Sequence, residues 1–402
     1  MLAWNGPKWI SSWLNFAPEV IAEFSFPERI EVHDWTLEGD GEEMPGISFT
    51  SDERLEIAKA LDDVGVHRIN AGWLTSTLPE DIDAIRKVTK LGLTAKVDAY
   101  VEVNKSAIDL ATKSDLSGVS MELPSSDAWI KRGNKSRESI LDQAIETITY
   151  GKDHGLQVGF GLQDATRADK AFLKQYIEAL THQTKLDVIL IADSMSAASP
   201  QGFHHLIQLV RNWTKLPIAV HCHDDFGLAT ANALAAVSAG ANIVTTTVNG
   251  IGERCGLTSL EETAVALRVL YNIDTGIKLQ KLRDLSRTVE RATGPLISPL
   301  KSIVGDRAFA WEMDGFVEGI ATLQASGHFK AGLPYEPDLV GNDFRFYPGK
   351  KTGRQGVRWE AERLGFSLTD QQAKDLADKI RELGKQKAQP SGNDFRNMLT
   401  AT

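Results

Sequence analysis

Between residues 29 and 270 the sequence alternates eight times between a short run rich in Val, Ile and Leu and an amphipathic helical stretch. The apolar runs are Arg29–His33, His67–Ala71, Leu93–Val97, Gly118–Leu123, Gln157–Gly161, Val188–Ala192, Pro217–Cys222 and Asn242–Val248. Runs this short and continuous suit strands buried on both faces. The helical patterns between them cover residues 52–64, 79–91, 137–154, 168–181, 200–213, 228–239 and 260–270. In the first, Leu55, Ile57, Ala58, Leu61 and Val64 share one side, with Ser51 or Asp52 as the expected cap and Gly65 as the stop. Eight such units in about 240 residues predict an α/β fold, a (β/α)8 TIM barrel. A doubly wound open sheet is the alternative. The absence of a glycine-rich phosphate turn after the first run speaks against it.

This organisation predicts an N-terminal arm over residues 1–28, a catalytic barrel over 29–275 and a C-terminal extension over 276–402. Within the extension, residues 369–384 read as a charged amphipathic helix that cannot close a second core alone. It is therefore expected to pack on the barrel or on another subunit. Trp4, Trp9, Trp13 and Phe16 read as an anchor covering the barrel bottom, or alternatively as a lid or an oligomer contact.

Composition excludes several classes. The net charge of −10 argues against a nucleic-acid partner. Two cysteines, Cys222 and Cys255, exclude a disulfide scaffold and fit a reducing compartment. No run reaches 18 apolar residues, and the first 26 residues lack the charge and apolar pattern of a signal peptide. The chain reads as a soluble cytoplasmic protein without a membrane partner.

Active sites of such barrels lie at the carboxyl ends of the strands, so the residues following each run come first. The seventh run ends in His221-Cys222-His223-Asp224-Asp225. Histidines at i and i+2 on one strand face the same way, so both imidazoles can reach one cation. Hydrogen-bonded or solvated histidines are the alternative. The first run is followed by Asp34-Trp35-Thr36-Leu37-Glu38-Gly39-Asp40-Gly41-Glu42-Glu43, where crowded carboxylates call for a cation or simply form a solvated acidic loop. Imidazole plus carboxylate suits a divalent metal, Zn²⁺, Mn²⁺, Fe²⁺ or Mg²⁺. After the eighth run comes Asn249-Gly250-Ile251-Gly252-Glu253-Arg254-Cys255-Gly256.

Taken together, these segments resemble the DRE-TIM metallolyases, the superfamily of isopropylmalate, homocitrate and citramalate synthases and hydroxymethylglutaryl-CoA lyases. The resemblance is strongest over residues 221–262. It extends to D-x-T-L, D-G-E, P-G and A-G over residues 29–72, to Asp164-Ala165-Thr166-Arg167, and to Gly349-Lys350-Lys351-Thr352-Gly353-Arg354. It implies a metal held by Asp40, His221 and His223, a small carboxylic acid and a CoA thioester as substrates, and a homodimer. The family's asparagine ligand after the eighth strand would fall at Leu257 and is absent.

Other departures gather in the same region. The family motif L-R-[DE]-G-E-Q has its arginine replaced by Gly39, with one residue inserted and Glu38 adding the opposite charge. The glutamate usual after strand two is Asn70, and the acidic residue before D-A-T-R is Gln163. The H-E-S-G-I-H stretch, whose histidines the family uses to activate acetyl-CoA, reads Trp311-Glu312-Met313-Asp314-Gly315-Phe316-Val317.

The expectation is a divalent-metal enzyme working at a carbon–carbon bond beside a carbonyl of a 2-oxo or 2-hydroxy acid, as acyltransferase or lyase, with chemistry altered by the missing arginine. A metal-activated-water hydrolase or hydratase is an alternative, as is a non-catalytic ligand-binding or partner subunit. Gln163, Arg167, Glu312 and Cys255 are the catalytic candidates, and Asn70, Ser194, Asn249 and Arg254 the substrate-binding ones. Arg167 could equally pair with Asp164 or Asp169, and Cys255 could be a structural thiol.

Overall fold

The computed structural model describes residues 8–294, 297–328, 332–388 and 390–401. Eight strands form a closed barrel in chain order: β1 (Glu31–Asp34), β2 (Arg68–Trp73), β3 (Lys96–Tyr100), β4 (Gly118–Pro124), β5 (Gln157–Gln163), β6 (Val188–Asp193), β7 (Ile218–Cys222) and β8 (Ile243–Thr246). Neighbours run parallel, and β8 returns to β1 with Ile243 opposite Glu31. The barrel expectation holds, and the open sheet is excluded by this closure.

Several boundaries shift by one to a few residues from the sequence reading, two of them for a visible reason. β3 starts at Lys96 rather than Leu93, because the Ala95 N–H is taken by the Asp62 carboxylate at 2.7 Å and so leaves the ladder. The first long helix, Ser51–Val64, is capped by Thr50 rather than Ser51 or Asp52. The Thr50 hydroxyl accepts the Glu53 N–H while the Glu53 carboxylate takes the Thr50 N–H, a reciprocal box that satisfies two otherwise orphan donors. Gly65, at φ +95°, ends that helix as expected. A helix over Lys105–Lys113 follows β3; its buried stripe of Ala107, Ile108 and Ala111 is too small to stand out in the sequence.

Inside the barrel, Trp35 sits among Val188, Leu190, Ala192, Ala219 and Ile243, one apolar layer beneath the strand ends. Lower down, the His33 ring and the Ser120 hydroxyl both engage the Asp98 carboxylate, at 3.0 and 2.9 Å.

The chain divides into two compact units, one from Trp13 to Leu296 and the other combining the residues up to Ser12 with those from Ile297 onward. The second unit has its own core. Helices Asp314–Ala325, Arg354–Arg363, Asp370–Lys385 and Gly392–Thr400 bury Val317, Val357, Leu376, Ile380 and Phe395 together with Phe346. The tail therefore closes a core that its charged helix could not close alone, because three further helices with weak sequence periodicity contribute their apolar faces. Trp9 pairs with Tyr335 within this unit, whereas Trp13, in the barrel unit, is largely exposed. Trp4 lies outside the described residues. No described helix is long and apolar enough to cross a membrane.

Candidate active site at the barrel mouth

A cavity of about 220 Å³ opens at the carboxyl ends of the strands, with Glu38, Gln163, Ser194, His221 and His223 in its wall. His221 and His223 are both 4% exposed, and their Nε2 atoms converge to 3.3 Å. The Thr245 hydroxyl gives its single proton to the Val220 carbonyl at 3.1 Å. It must therefore accept from His221 Nδ1 at 2.9 Å, which leaves Nε2 with its lone pair toward the cavity. Burial, with the nearby positive charge of Arg254, holds the His221 pKa down at about 4, so the ring is neutral at pH 7. Trp35 packs against its face at 5.1 Å between centroids.

Two nitrogens bound to one divalent ion at about 2.1 Å lie about 3.0–3.4 Å apart at octahedral or tetrahedral angles. The histidine pair fits that spacing. Among the described residues no group of three His, Cys, Asp or Glu closes around it. Asp40 belongs to the short helix Gly39–Glu42, and its side chain lies outside the described residues. Leu257, where the family would place an asparagine, pairs its backbone with His223 and is 4% exposed. Cys222, between the histidines, is buried, and burial drives its thiol pKa well up, so it is inert at neutral pH.

The remaining sequence candidates divide. Gln163 at the end of β5 lines the cavity and donates its amide to Glu122. Ser194 also lines it, and its hydroxyl accepts the Asp164 N–H at 3.0 Å. Arg167 forms a two-point pair with Asp164, at 2.7 and 2.9 Å, rather than with Asp169. Asn70 is fully buried, and its carbonyl oxygen accepts the Gly72 and Tyr100 N–H groups, bracing the register shift between β2 and β3. Asn249 bonds Ser286, while its N–H meets the buried Glu261. Cys255 is exposed. Glu312 belongs to the second unit, where it accepts the Lys351 N–H at 2.7 Å.

Arg254 clamps three loops. Its guanidinium grips Asp225 at 2.9 and 3.0 Å, the Ser194 carbonyl at 2.7 Å and Glu253 at 2.6 Å, joining the segments after β6, β7 and β8. That pairing holds the Asp225 pKa down at about 2. On the opposite side, Arg54, 1% exposed, donates to the Leu37 carbonyl at 2.8 Å and pairs with Glu42, pinning the strand-one loop. Two glycines permit this. A Cβ on Gly41 would stand 2.4 Å from the Thr36 carbonyl oxygen, and Gly72, at φ +142°, lies against Arg54.

The sequence reading missed Glu43, Glu122, Glu253, Trp73, Tyr100 and Trp129, all of which line the cavity, and treated Glu38 only as a misplaced charge. Trp73 and Tyr100 both end strands in the structure, whereas the runs read from the sequence stop short of them at Ala71 and Val97.

The closed parallel barrel is a β/α barrel, a fold whose enzymes carry their active sites at the strand carboxyl ends, and the paired histidines lie at that end, around β7. The chain belongs to the HMGL-like family, whose model matches residues 29–289, within the DRE-TIM metallolyase superfamily. It is 37% identical over 372 residues to homocitrate synthase AksA of Methanothermobacter thermautotrophicus, covering 90% of this chain and 92% of that protein. It is also 37% identical over 361 residues to (R)-citramalate synthase CimA of Methanocaldococcus jannaschii, covering 88% and 71%. The hydroxymethylglutaryl-CoA lyase of Bacillus subtilis superposes with a TM-score of 0.60 at 19% identity, over 67% of this chain and 95% of that one, which supports the barrel fold. The protein is thus an enzyme of a class that forms or cleaves carbon–carbon bonds, and the non-catalytic reading falls.

Proposed function

We propose that this chain is a divalent-metal-dependent enzyme that forms or cleaves the carbon–carbon bond beside the carbonyl of a 2-oxo or 2-hydroxy acid, with an acyl-CoA thioester as the second substrate. The observation that carries the reading is the converging His221–His223 pair in the mouth cavity, with the His221 ring neutral. His221, His223 and Asp40 would hold the ion, which supplies Lewis-acid polarisation of the substrate carbonyl when bound. Thr245 fixes the His221 tautomer, and Trp35 fixes its ring plane. Gln163 orients the Glu122 carboxylate inside the cavity. Glu38, 4% exposed and in the cavity wall, is the group we assign to proton transfer at the substrate carbon that gains or loses its proton. Arg167 and Arg254 act as positioning residues, since both guanidinia are engaged by local carboxylates. No arginine follows Leu37, so this chain replaces the family's usual enolate stabilisation with a different arrangement. The relatives differ in the acid their names specify, homocitrate in one and citramalate in another, so the substrate is set by the cavity wall.

The test starts with metal analysis of purified protein. About one equivalent retained, and its loss in His223→Ala, is the expected result. Less than that, with no recovery on adding Mn²⁺ or Zn²⁺, would remove the reading. Incubating acetyl-CoA, a thiol reagent and a panel of 2-oxo acids should then release CoA with at least one acid, with little turnover of 2-oxoisovalerate or 2-oxoglutarate. Turnover should vanish in His223→Ala.

A further inference from the structure

The interior of a β/α barrel is normally filled by layers of bulky branched side chains, and one side of this barrel departs from that rule. The pairing of β4 with β5 sets Gly118 opposite Gln157, Ser120 opposite Gly159 and Glu122 opposite Gly161, with alternate residues of each strand facing inward. Small residues therefore run down the β4–β5 side. The bulky residues of the interior, Trp35, Leu190 and Ile243, come from the segment after β1 and from β6 and β8. The space left between them is a chamber of about 40 Å³. Its wall runs the length of the barrel, from the exposed Lys96, Ser117 and Gln157 at the strand starts to Tyr100 and Glu122 near the strand ends. Tyr100 and Glu122 also line the mouth cavity, so the two spaces meet at shared residues. Halfway along, the Asp98 side chain keeps 16% of its surface accessible, and Gly159 is only half-buried.

The chemistry of this wall suits water. The Asp98 carboxylate takes hydrogen bonds from the His33 ring at 3.0 Å and the Ser120 hydroxyl at 2.9 Å, a chain that crosses the interior from β1 through β3 to β4. An ionised carboxylate offers about four acceptor positions, so Asp98 has room for a further donor. The indole N–H of Trp35 is an independent pointer. Trp35 is 3% exposed and stands in the same wall, and its N–H finds no acceptor among the described residues. An orphan buried donor near a carboxylate with spare lone pairs is what a water molecule satisfies, accepting from the one and donating to the other. At about 10–15 Å³ for each molecule, the chamber has room for about three.

We infer that this chamber is a water-filled shaft. It is a second entrance that joins the floor of the mouth to the amino-terminal face of the barrel and passes water and protons while a substrate covers the mouth. A proton given up at the floor moves from water to water and leaves at the opposite face, and a proton taken up travels the same way in reverse. The shaft rests on the barrel interior alone. Its part in turnover rests on the reading above, in which a substrate carbon gains or loses a proton.

Hydrogen exchange of the Trp35 indole N–H, followed by NMR in the full chain labelled with ¹⁵N-tryptophan and assigned with Trp35→Phe, tests the shaft. In a dry interior this proton exchanges only when the barrel opens, as slowly as the amides of the surrounding strands. In a shaft it should exchange roughly 100-fold faster than those amides, or more. Gly159→Val narrows the passage. A Cβ at this position stands 3.5 Å from the Ser120 hydroxyl oxygen, an ordinary contact, so the side chain enters without displacing backbone. The variant should slow the exchange about tenfold with little change in Tm. Should it fail to fold, Gly159→Ala carries the same test with a smaller effect. Trp35 protection equal to that of the strand amides would overturn the shaft. Fast exchange that neither variant slows would put the access on the mouth side and overturn the second entrance. With whichever 2-oxo acid turns over, Gly159→Val should lower kcat several-fold at unchanged KM. Unchanged kcat beside slowed exchange would overturn the role in turnover. Absence of turnover with every acid in the wild type, beside fast Trp35 exchange, would overturn the 2-oxo-acid reading and leave the shaft standing.

Discussion

Replacing Arg54 with methionine gives the sharpest physical test of how the mouth is held. Arg54 is 1% exposed, and its guanidinium reaches the Leu37 carbonyl at 2.8 Å, the Glu42 carboxylate and, at 3.4 Å, Asp81. Methionine fills most of the aliphatic space but removes every donor. A charged-donor hydrogen bond contributes about 1.5–3 kcal/mol, and stranding one partner of a largely buried pair costs about 3–5 kcal/mol. Relief of the arginine's own desolvation offsets part of this, so we expect a net loss of about 3 kcal/mol. For a unit of this size that corresponds to a fall in Tm of roughly 6 °C, taking about 2 °C per kcal/mol. Urea unfolding of the wild type, Arg54→Met, Glu42→Gln and the double variant closes a cycle. The stranded Glu42 charge disappears in the double variant, so the two effects should fall short of their sum by about 1–3 kcal/mol. Arg54→Met within about 0.5 kcal/mol of wild type, or strict additivity in the cycle, would refute the reasoning. Because the pinned loop carries Glu38 and Glu43, weaker ligand binding should accompany the loss of stability.

Three further outcomes follow from the geometry. Gly41→Ala should destabilise by about 1–3 kcal/mol, because its Cβ meets backbone at 2.4 Å and the loop must shift, whereas Gly319→Ala, in a helix with nothing within 4 Å, should stabilise by about 0.5–1 kcal/mol; thermal unfolding compares them. Burial raises the pKa of Asp34 from 3.8 to about 7, so between these values the folded state binds a proton that the unfolded chain releases. The resulting stability is full below about pH 4 and is lost as the pH rises through about 7, on the order of 4 kcal/mol at about 1.36 kcal/mol per pH unit. Asp34→Asn should flatten the pH dependence of the urea midpoint across that window; an unchanged slope would count against it.

The barrel was legible because eight apolar runs at regular spacing leave few other ways to bury themselves. Boundaries were less so: Thr50 caps through a reciprocal bond with Glu53, and Ala95 leaves β3 for a carboxylate far along the chain. The core of the second unit was hidden because its residues come from four helices with little individual periodicity. Within the site, the strand-end rule found His221, His223, Gln163 and Ser194. It did not find Glu122, inside β4, or Trp129, on a helix beyond a strand end. Trp73 faces the cavity after the register shift at Gly72, a backbone event with no composition signal beyond one glycine. Neither Arg54 nor Arg254 advertises its role, since each acts through loops distant in sequence.

The Arg254 clamp has an evolutionary corollary. By lashing together the segments after β6, β7 and β8, it makes the histidine-bearing side of the mouth one mechanical piece. Of the other residues lining the cavity, Glu43, Trp73, Tyr100, Glu122 and Trp129 all come from the sequence between β1 and β5. The proposed metal ligand Asp40 and proton-transfer residue Glu38 lie in that same stretch, in the loop after β1. A lineage could therefore vary the strand ends from β2 to β5 while inheriting the loop after β1 and the clamped second half as fixed parts.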